Sequence, residues 1–174
     1  MKSKSVLKAA GALAVAAGVV LGAGSWVQAT ESVGLQIATA EQTAAVKQRQ
    51  ELMKSIGGNA KAITEYLKAS KGTKEEAAAA AAKIGELANE IPEAFKVEAS
   101  LSEMDAVGKN RGKPEIWLDW EGFVEHAEML EQKAVALAAA FETDDSSGIQ
   151  AAFGDMGKNG CGSCHDDFRG PKVE

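Results

Sequence analysis

Cysteine and histidine are scarce in this sequence of 174 residues. There are two of each, and both cysteines lie with one histidine in the stretch GKNGCGSCHDDFRG, residues 157–170. Two cysteines exclude a framework of several disulfides. A structural zinc site needs four ligands, and outside this stretch only His126 remains as a cysteine or histidine donor. We predict that His126 faces solvent, since it falls off the apolar stripe of its helix.

Aromatic residues are also few, at 5% of the chain, and runs of β-branched residues are absent. Stretches that alternate apolar and polar residues are hard to find, so β-strands have little support. A C-x-x-C redox pair of the thioredoxin type sits between a strand and a helix, and this sequence offers no such setting. Because there is also no glycine-rich phosphate loop and no Ser-His-Asp set, we do not expect an enzyme.

The N-terminal region has the pattern of an export signal. Lys2, Lys4 and Lys8 precede an apolar run over residues 9–23, and VQA at 27–29 has the small-x-small form of a cleavage site. This pattern predicts a signal peptide over residues 1–29 and a mature domain over residues 30–174. We therefore expect a periplasmic protein without stable membrane insertion after cleavage; the alternative is a retained N-terminal anchor.

The formal charge of −6 becomes −9 after cleavage, because residues 1–29 contain three lysines and no acid. A surface this acidic argues against nucleic acid and anionic membrane as partners.

Helical periodicity occurs four times. The first run is an apolar stripe that also carries Arg49 and Met53: Val46, Arg49, Met53, Ile56, Ala60, Ile63, Leu67. The second begins at Thr73 and is stopped by Pro92, and the third extends from Pro114 to Phe141. A polar connection, residues 96–113, separates these two, and the segment 30–42 precedes the first. The fourth run starts near Ser147 and ends at Gly170-Pro171. These runs predict an all-α, antiparallel four-helix bundle, an architecture that holds cofactors between its helices.

On a helix, Cys161, Cys164 and His165 stand at positions i, i+3 and i+4 and project from one face. C-x-x-C-H is the attachment signature of c-type haem: two thiols form thioethers, and the adjacent imidazole reaches the iron. Zinc binding and thiol redox chemistry are the alternatives.

Three stretches resemble the cytochrome c′ family, the class II c-type cytochromes: RQELMKSIGGNAKAI in the first helix, KPEIWLDWEGF opening the third, and FGDMGKNGCGSCHDDFRG in the fourth. The resemblance implies one covalently attached haem c packed among four helices, with His165 as the proximal iron ligand. It also implies a possible homodimer built from the first two helices.

Arg49 and Met53 gain meaning from this resemblance. An arginine on an apolar stripe can pair with a haem propionate, or it can extend to solvent from the end of the bundle. If the Met53 sulfur binds iron, His/Met ligation suits a one-electron carrier that meets periplasmic redox partners, as in the low-spin branch of the family. If Met53 only packs over the haem, the iron stays five-coordinate and can bind nitric oxide or another small gas. We take the electron carrier as the main hypothesis. Arg169, four residues after His165, is predicted to lie beside the imidazole.

Overall fold

The computed structural model describes residues 39–99 and 110–171. The predicted signal peptide, residues 1–29, lies outside these ranges, as does most of the long connection. The described residues form seven α-helices and one π-helix, with a single isolated β-bridge between Gly112 and Arg169. The α-helices are α1 (Ala40–Ala69), α2 (Lys74–Ala88), α3 (Ile91–Ala94), α4 (Glu115–Leu118), α5 (Trp120–Phe141), α6 (Ser146–Asp155) and α7 (Ser163–Phe168). The π-helix, Met156–Gly162, joins α6 to α7.

The predicted all-α four-helix bundle is confirmed. Its four long elements are α1, α2, α5 and the continuous helix made of α6, the π-helix and α7, which we call the C-terminal helix (Ser146–Phe168). Helix α5 packs against both α2 and the C-terminal helix, while α1 packs against α2 and α3. Within residues 39–99 and 110–171, no helix combines the length and the apolar character needed to cross a membrane.

Helix α1 begins earlier than its apolar stripe indicates. The Thr39 hydroxyl accepts a hydrogen bond from the Gln42 amide at 3.1 Å, and the Gln42 side chain accepts one from the Thr39 amide at 3.0 Å. This reciprocal cap satisfies two amides that the first turn leaves unpaired. Residues 40–42 of the segment placed before the first helix are therefore an additional turn of α1. Thr73 and Glu76 cap α2 in the same way, and α2 thus begins where the second run was predicted to begin.

Two predicted helices are interrupted. Helix α2 ends at Ala88, and Pro92 lies in the first turn of α3 rather than at a helix end. Proline fits there because the amide it lacks has no helical partner in a first turn. The run from Pro114 is broken at Asp119, whose carboxylate accepts a hydrogen bond from the Gly122 amide at 3.2 Å and caps α5. The short helix α4 thus stands apart from α5.

The core lies where the apolar stripes of the long helices meet. Ile63 of α1, Ile84 of α2, Leu137 of α5 and Met156 of the π-helix are each fully buried. In the C-terminal helix, Ile149, Met156, Gly160 and Phe168 are buried, and Phe153 and Cys164 are half-buried against the core. On the α1 stripe, Val46, Arg49, Ile56 and Ile63 are buried, whereas Met53, Ala60 and Leu67 are half-buried; near Met53 the stripe faces a cavity.

Candidate functional site

A cavity of about 430 Å³ separates α1 from the C-terminal helix. Arg49 and Met53 line it from α1, and Cys161, Cys164 and His165 line it from the C-terminal helix. The remaining wall is mostly apolar and includes Phe95, Ile116, Phe123, Leu130 and Phe168. The structure therefore brings all five predicted site residues to one cavity, although their roles toward a bound group remain predictions.

The π-helix determines how the cysteines are presented. Cys161 lies within it, whereas Cys164 and His165 lie on α7, and the Ser163 amide donates to the Lys158 carbonyl five residues earlier. The assumption of a regular α-helix through residues 157–165 was wrong, because a π-turn takes more residues than an α-turn. Gly160 allows this segment to approach α5 closely, since a Cβ at that position would lie 3.1 Å from Leu130 Cδ1.

Both thiols are free and half-buried in the cavity wall. Burial raises the pKa of Cys161, and it raises the pKa of Cys164 to about 11, with further contributions from Cys161 and Asp167. The thiolate is the reactive form in disulfide exchange, and redox-active cysteines have lowered pKa values. The direction of these shifts opposes a thiol redox role.

We expect the thiols of the haem-free folded chain to react slowly with iodoacetamide at pH 7. The Cys164 rate should still rise between pH 9 and 10.5, where a thiol with the usual pKa of about 8.5 is already mostly ionised. The measurement is alkylation followed by intact mass over a pH series, with the urea-unfolded chain as control. A folded chain that reacts as fast as the unfolded one would contradict this expectation.

His165 lines the cavity. Burial lowers the pKa of its imidazole, and the nearby cations Arg169 and Arg111 lower it further. Throughout residues 39–99 and 110–171, no group hydrogen-bonds its ring. A neutral imidazole with unengaged ring nitrogens is the form that binds metal. Arg169 lies near this ring, as the sequence indicated.

Arg49 is buried, with 4% of its surface exposed. Its Nε donates to the Ala94 carbonyl at 2.9 Å and its Nη1 to the Ala99 carbonyl at 3.2 Å, while its Nη2 donates to the Val97 carbonyl. The guanidinium also stacks on Phe95, 4.7 Å from the ring centre. The alternative that Arg49 extends to solvent is therefore wrong, because these carbonyls hold it inside.

Burial lowers the pKa of Arg49 to about 10, so the side chain is still cationic at neutral pH. Of the carboxylates in residues 39–99 and 110–171, none lies within ion-pair distance of it. A buried cation of this kind is expensive unless an anion accompanies it. The three bonds to carbonyls leave two of its five N–H groups for such an anion.

We expect Arg49→Met to lower the free energy of unfolding of the haem-free chain by about 2 to 4 kcal/mol, because buried carbonyls lose their donors. Asn110 still donates to the Ala99 carbonyl at 2.9 Å, so the Ala94 and Val97 carbonyls lose most. Urea unfolding measures the change, with exposed Lys47→Met on the same helix as the control. Equal stability of the two variants would contradict the structural role of Arg49.

His126 corrects the prediction that this residue faces solvent. It lines the cavity, and its Nε2 lies 3.2 Å from Asp167 Oδ2. Its Nδ1 lies 3.4 Å from Ser163 Oγ, and its ring meets the edge of Phe168. The packing of α5 on α7 produces this cluster, which one-helix periodicity cannot reveal. Serine, histidine and aspartate side chains thus meet here. The Ser163 hydroxyl donates its single hydrogen to the Asn159 carbonyl at 2.6 Å, so it does not donate that hydrogen to His126.

The chemistry of the cavity wall fits a haem. Among residues 39–99 and 110–171, three arginines line it, Arg49, Arg111 and Arg169, and no aspartate or glutamate does. An apolar cavity with only cationic charge suits a flat apolar group bearing two carboxylates, and its volume is in the range of ligand sites. Cys161 and Cys164 would hold the group covalently, and His165 would ligate its iron. The bundle and this donor set define a c-type cytochrome.

Comparison with known proteins identifies the kind of c-type cytochrome. The family model described as Cytochrome C' matches residues 44–169. The chain thus belongs to the cytochrome c′ family and carries covalently attached haem c, as the resemblance implied.

Several curated relatives match. The chain is 28% identical over 130 residues to cytochrome c′ of Rhodospirillum rubrum, covering 75% of this chain and 84% of that protein. It is 30% identical over 125 residues to cytochrome c-556 of Agrobacterium fabrum, covering 71% of this chain and 80% of that protein. The match to cytochrome c′ of Alcaligenes xylosoxydans is 38% identical, but it spans only 34% of this chain and 46% of that protein.

Solved structures of the family have the same fold. A nitric oxide complex of the L16A variant of cytochrome c′ from Alcaligenes xylosoxidans superposes with a TM-score of 0.63 at 26% identity, covering 78% of this chain and 100% of that one. A cytochrome c′ described as having an unusual ligand-controlled dimer dissociation gives a TM-score of 0.64 at 25% identity, covering 77% of this chain and 100% of that one.

Proposed function

We propose that this protein binds nitric oxide or a similar small gas at a haem iron that His165 alone ligates. The observation that carries the proposal is the similarity to solved cytochrome c′ structures that have nitric oxide bound. When bound, haem supplies an iron with two oxidation states and room for a further ligand. This is the alternative from the sequence analysis, and it now has better support than the electron carrier.

The wall formed by α1 is consistent with gas entry. Met53 is half-buried there, and Gly57, one turn further along α1, also lines the cavity. A Cβ added at Gly57 would meet no atom within 4 Å, so there is open space in the cavity at Gly57. In this proposal Met53 is an apolar lid over the gas site, a role for which its flexible side chain is suited.

The proposal is tested by the optical spectrum of the haem-loaded, reduced protein before and after addition of nitric oxide. We expect a broad, unsplit high-spin spectrum that changes stoichiometrically with the gas. A split α/β spectrum that nitric oxide does not alter at equimolar concentration would contradict the proposal. A Cys161→Ser, Cys164→Ser chain prepared in parallel controls for gas binding without attached haem.

The second candidate is a one-electron carrier in which Met53 also binds the iron. Two observations favour it: Met53 lies on the cavity wall, and the chain is similar to a cytochrome c-556. For both candidates we propose no enzymatic activity.

We further propose that the protein is exported to the periplasm and forms a homodimer. The signal-peptide pattern over residues 1–29 supports export, and the relative named for its dimer dissociation supports self-association. Periplasmic redox partners are part of the proposal only if Met53 ligates the iron. Sequencing the N-terminus of secreted protein would test cleavage after Ala29, and sedimentation with and without nitric oxide would test the dimer.

A further inference from the structure

The segment Asn110–Lys113 is hydrogen-bonded to the end of the C-terminal helix and to the residues that follow it. The Gly170 amide donates to the Arg111 carbonyl at 2.7 Å, and the Lys113 amide donates to the Phe168 carbonyl at 3.1 Å. Asn110 is buried and braces the segment from inside, because its side chain also accepts from the Gly112 amide at 3.2 Å. We call residues 110–113 together with residues 168–171 the C-terminal latch.

The latch holds the Arg111 side chain through its Nε and leaves its terminal amino groups available for hydrogen bonds. Arg111 Nε donates to the Gly170 carbonyl at 2.8 Å and to the Pro171 carbonyl at 2.9 Å. Neither of its terminal amino groups bonds to any residue in 39–99 or 110–171, and no carboxylate there pairs with it. Arg111 is nevertheless one of the residues that line the cavity, as is His165.

The three arginines of the cavity differ in what they can offer an anion. Arg49 has two N–H groups left and stands on the α1 wall. Arg169 is exposed, without a side-chain bond to hold it in place among the described residues. Arg111 is half-buried and held by two bonds through Nε, with four N–H groups remaining in a planar fork that matches a carboxylate.

We propose that Arg111 binds one of the two haem propionates and that the C-terminal latch holds it in position to do so. The two carboxylates of the haem would then be matched by two fixed arginines from opposite parts of the chain. The inference rests on the attached haem and not on gas binding. If the protein is found not to bind nitric oxide, the proposed role of Arg111 is therefore unaffected.

Lys113 provides a matched control inside the same latch. Its Nζ donates to the Asp166 carbonyl at 3.1 Å and to the Asp167 carbonyl at 2.7 Å, so it also makes two bonds to the end of the C-terminal helix. It carries the same charge as Arg111, but it does not line the cavity. Lys113→Met therefore removes one charge and two latch bonds without touching the proposed propionate site.

The test compares the haem-loaded proteins Arg111→Met, Arg111→Lys and Lys113→Met by measuring the haem reduction potential from pH 5 to pH 9. A propionate that loses its cation is protonated more readily. In Arg111→Met, we expect the reduction potential to begin to fall at a pH that is about 1 unit higher than in the unsubstituted protein. In Arg111→Lys, most of the original dependence of the potential on pH should return. In Lys113→Met, the pH at which the potential begins to fall should be unchanged.

If Arg111→Met and Lys113→Met shift the pH at which the potential begins to fall by the same amount, the proposal is overturned, because the latch would then act only on the fold. If Arg111→Met leaves that pH unchanged, the proposal is overturned as well. If Arg111→Met does not fold, Arg111→Gln serves as the uncharged variant, judged against Arg111→Lys by the same criterion. The covalent attachment of haem, checked by mass in every variant, separates a failed proposal from a failed cofactor assignment.

Discussion

Replacing both Cys161 and Cys164 by serine is expected to yield a chain whose haem is removed completely by acidified organic solvent, while the unchanged protein keeps its haem. Each thiol adds across one vinyl group of the porphyrin, and serine makes no such bond under the same conditions. Both sulfurs lie in the wall of the cavity that holds His165, so both are placed for attachment. Intact mass supplies the second readout, since the unchanged chain should be heavier by one haem and have no free thiol.

The single variants Cys161→Ser and Cys164→Ser are the internal controls. Each should keep one thioether and resist extraction, and the vinyl group left free should move the reduced pyridine haemochrome band to longer wavelength. His165→Ala tests a separate function, because it should keep the covalent haem while losing the proximal ligand. An unchanged protein with two free thiols and bound zinc would contradict the haem assignment at this site.

Shortening Met53 to alanine is expected to raise the association rate constant of carbon monoxide at the reduced haem by about tenfold or more. Tenfold corresponds to about 1.4 kcal/mol less barrier, which is a modest demand on the removal of a side chain that packs over a gas site. The high-spin spectrum should be the same before and after the substitution. Flash photolysis measures the rate, and the spectrum is recorded on the same sample.

Met53→Leu distinguishes the two roles of the sulfur. Leucine keeps nearly the same volume without a thioether, so a lid should give an unchanged rate and spectrum. If the unchanged protein has a weak sulfur-to-iron band when oxidised, and both substitutions remove it, Met53 is an iron ligand. That outcome would favour the electron carrier over the gas-binding protein, because His/Met ligation raises the haem potential.

Most of the fold was predictable because it depends on patterns within single helices. The stripe from Val46 to Leu67 gave the face of α1, and Thr73 with Glu76 marked the beginning of α2. The break at Asp119 was missed because an aspartate in a helical run has no fixed meaning until its carboxylate caps the next amides. Pro92 was read as a helix end, but position within the first turn decides whether proline stops a helix.

The part of the site that was predictable consists of functional residues that are neighbours in the sequence or that stand out within one helix. Cys161, Cys164 and His165 formed a recognisable unit, and Arg49 stood out as a charge on an apolar face. His126, Arg111 and Asn110 could not be found this way, because their roles depend on contacts between segments far apart in sequence. The polar composition of residues 96–113 pointed to an ordinary connection, whereas its last residues form the C-terminal latch.

The half-buried position of the two thiols bears on the order in which the protein is assembled. Once the bundle has closed, each sulfur is half-buried in the cavity wall, and burial raises the pKa of each thiol. A thiol in that state is poorly accessible to any enzyme that would have to bind the surrounding segment in order to attach haem. We therefore expect thioether formation to occur on the unfolded chain, and the bundle to close afterwards around a haem that is already in place.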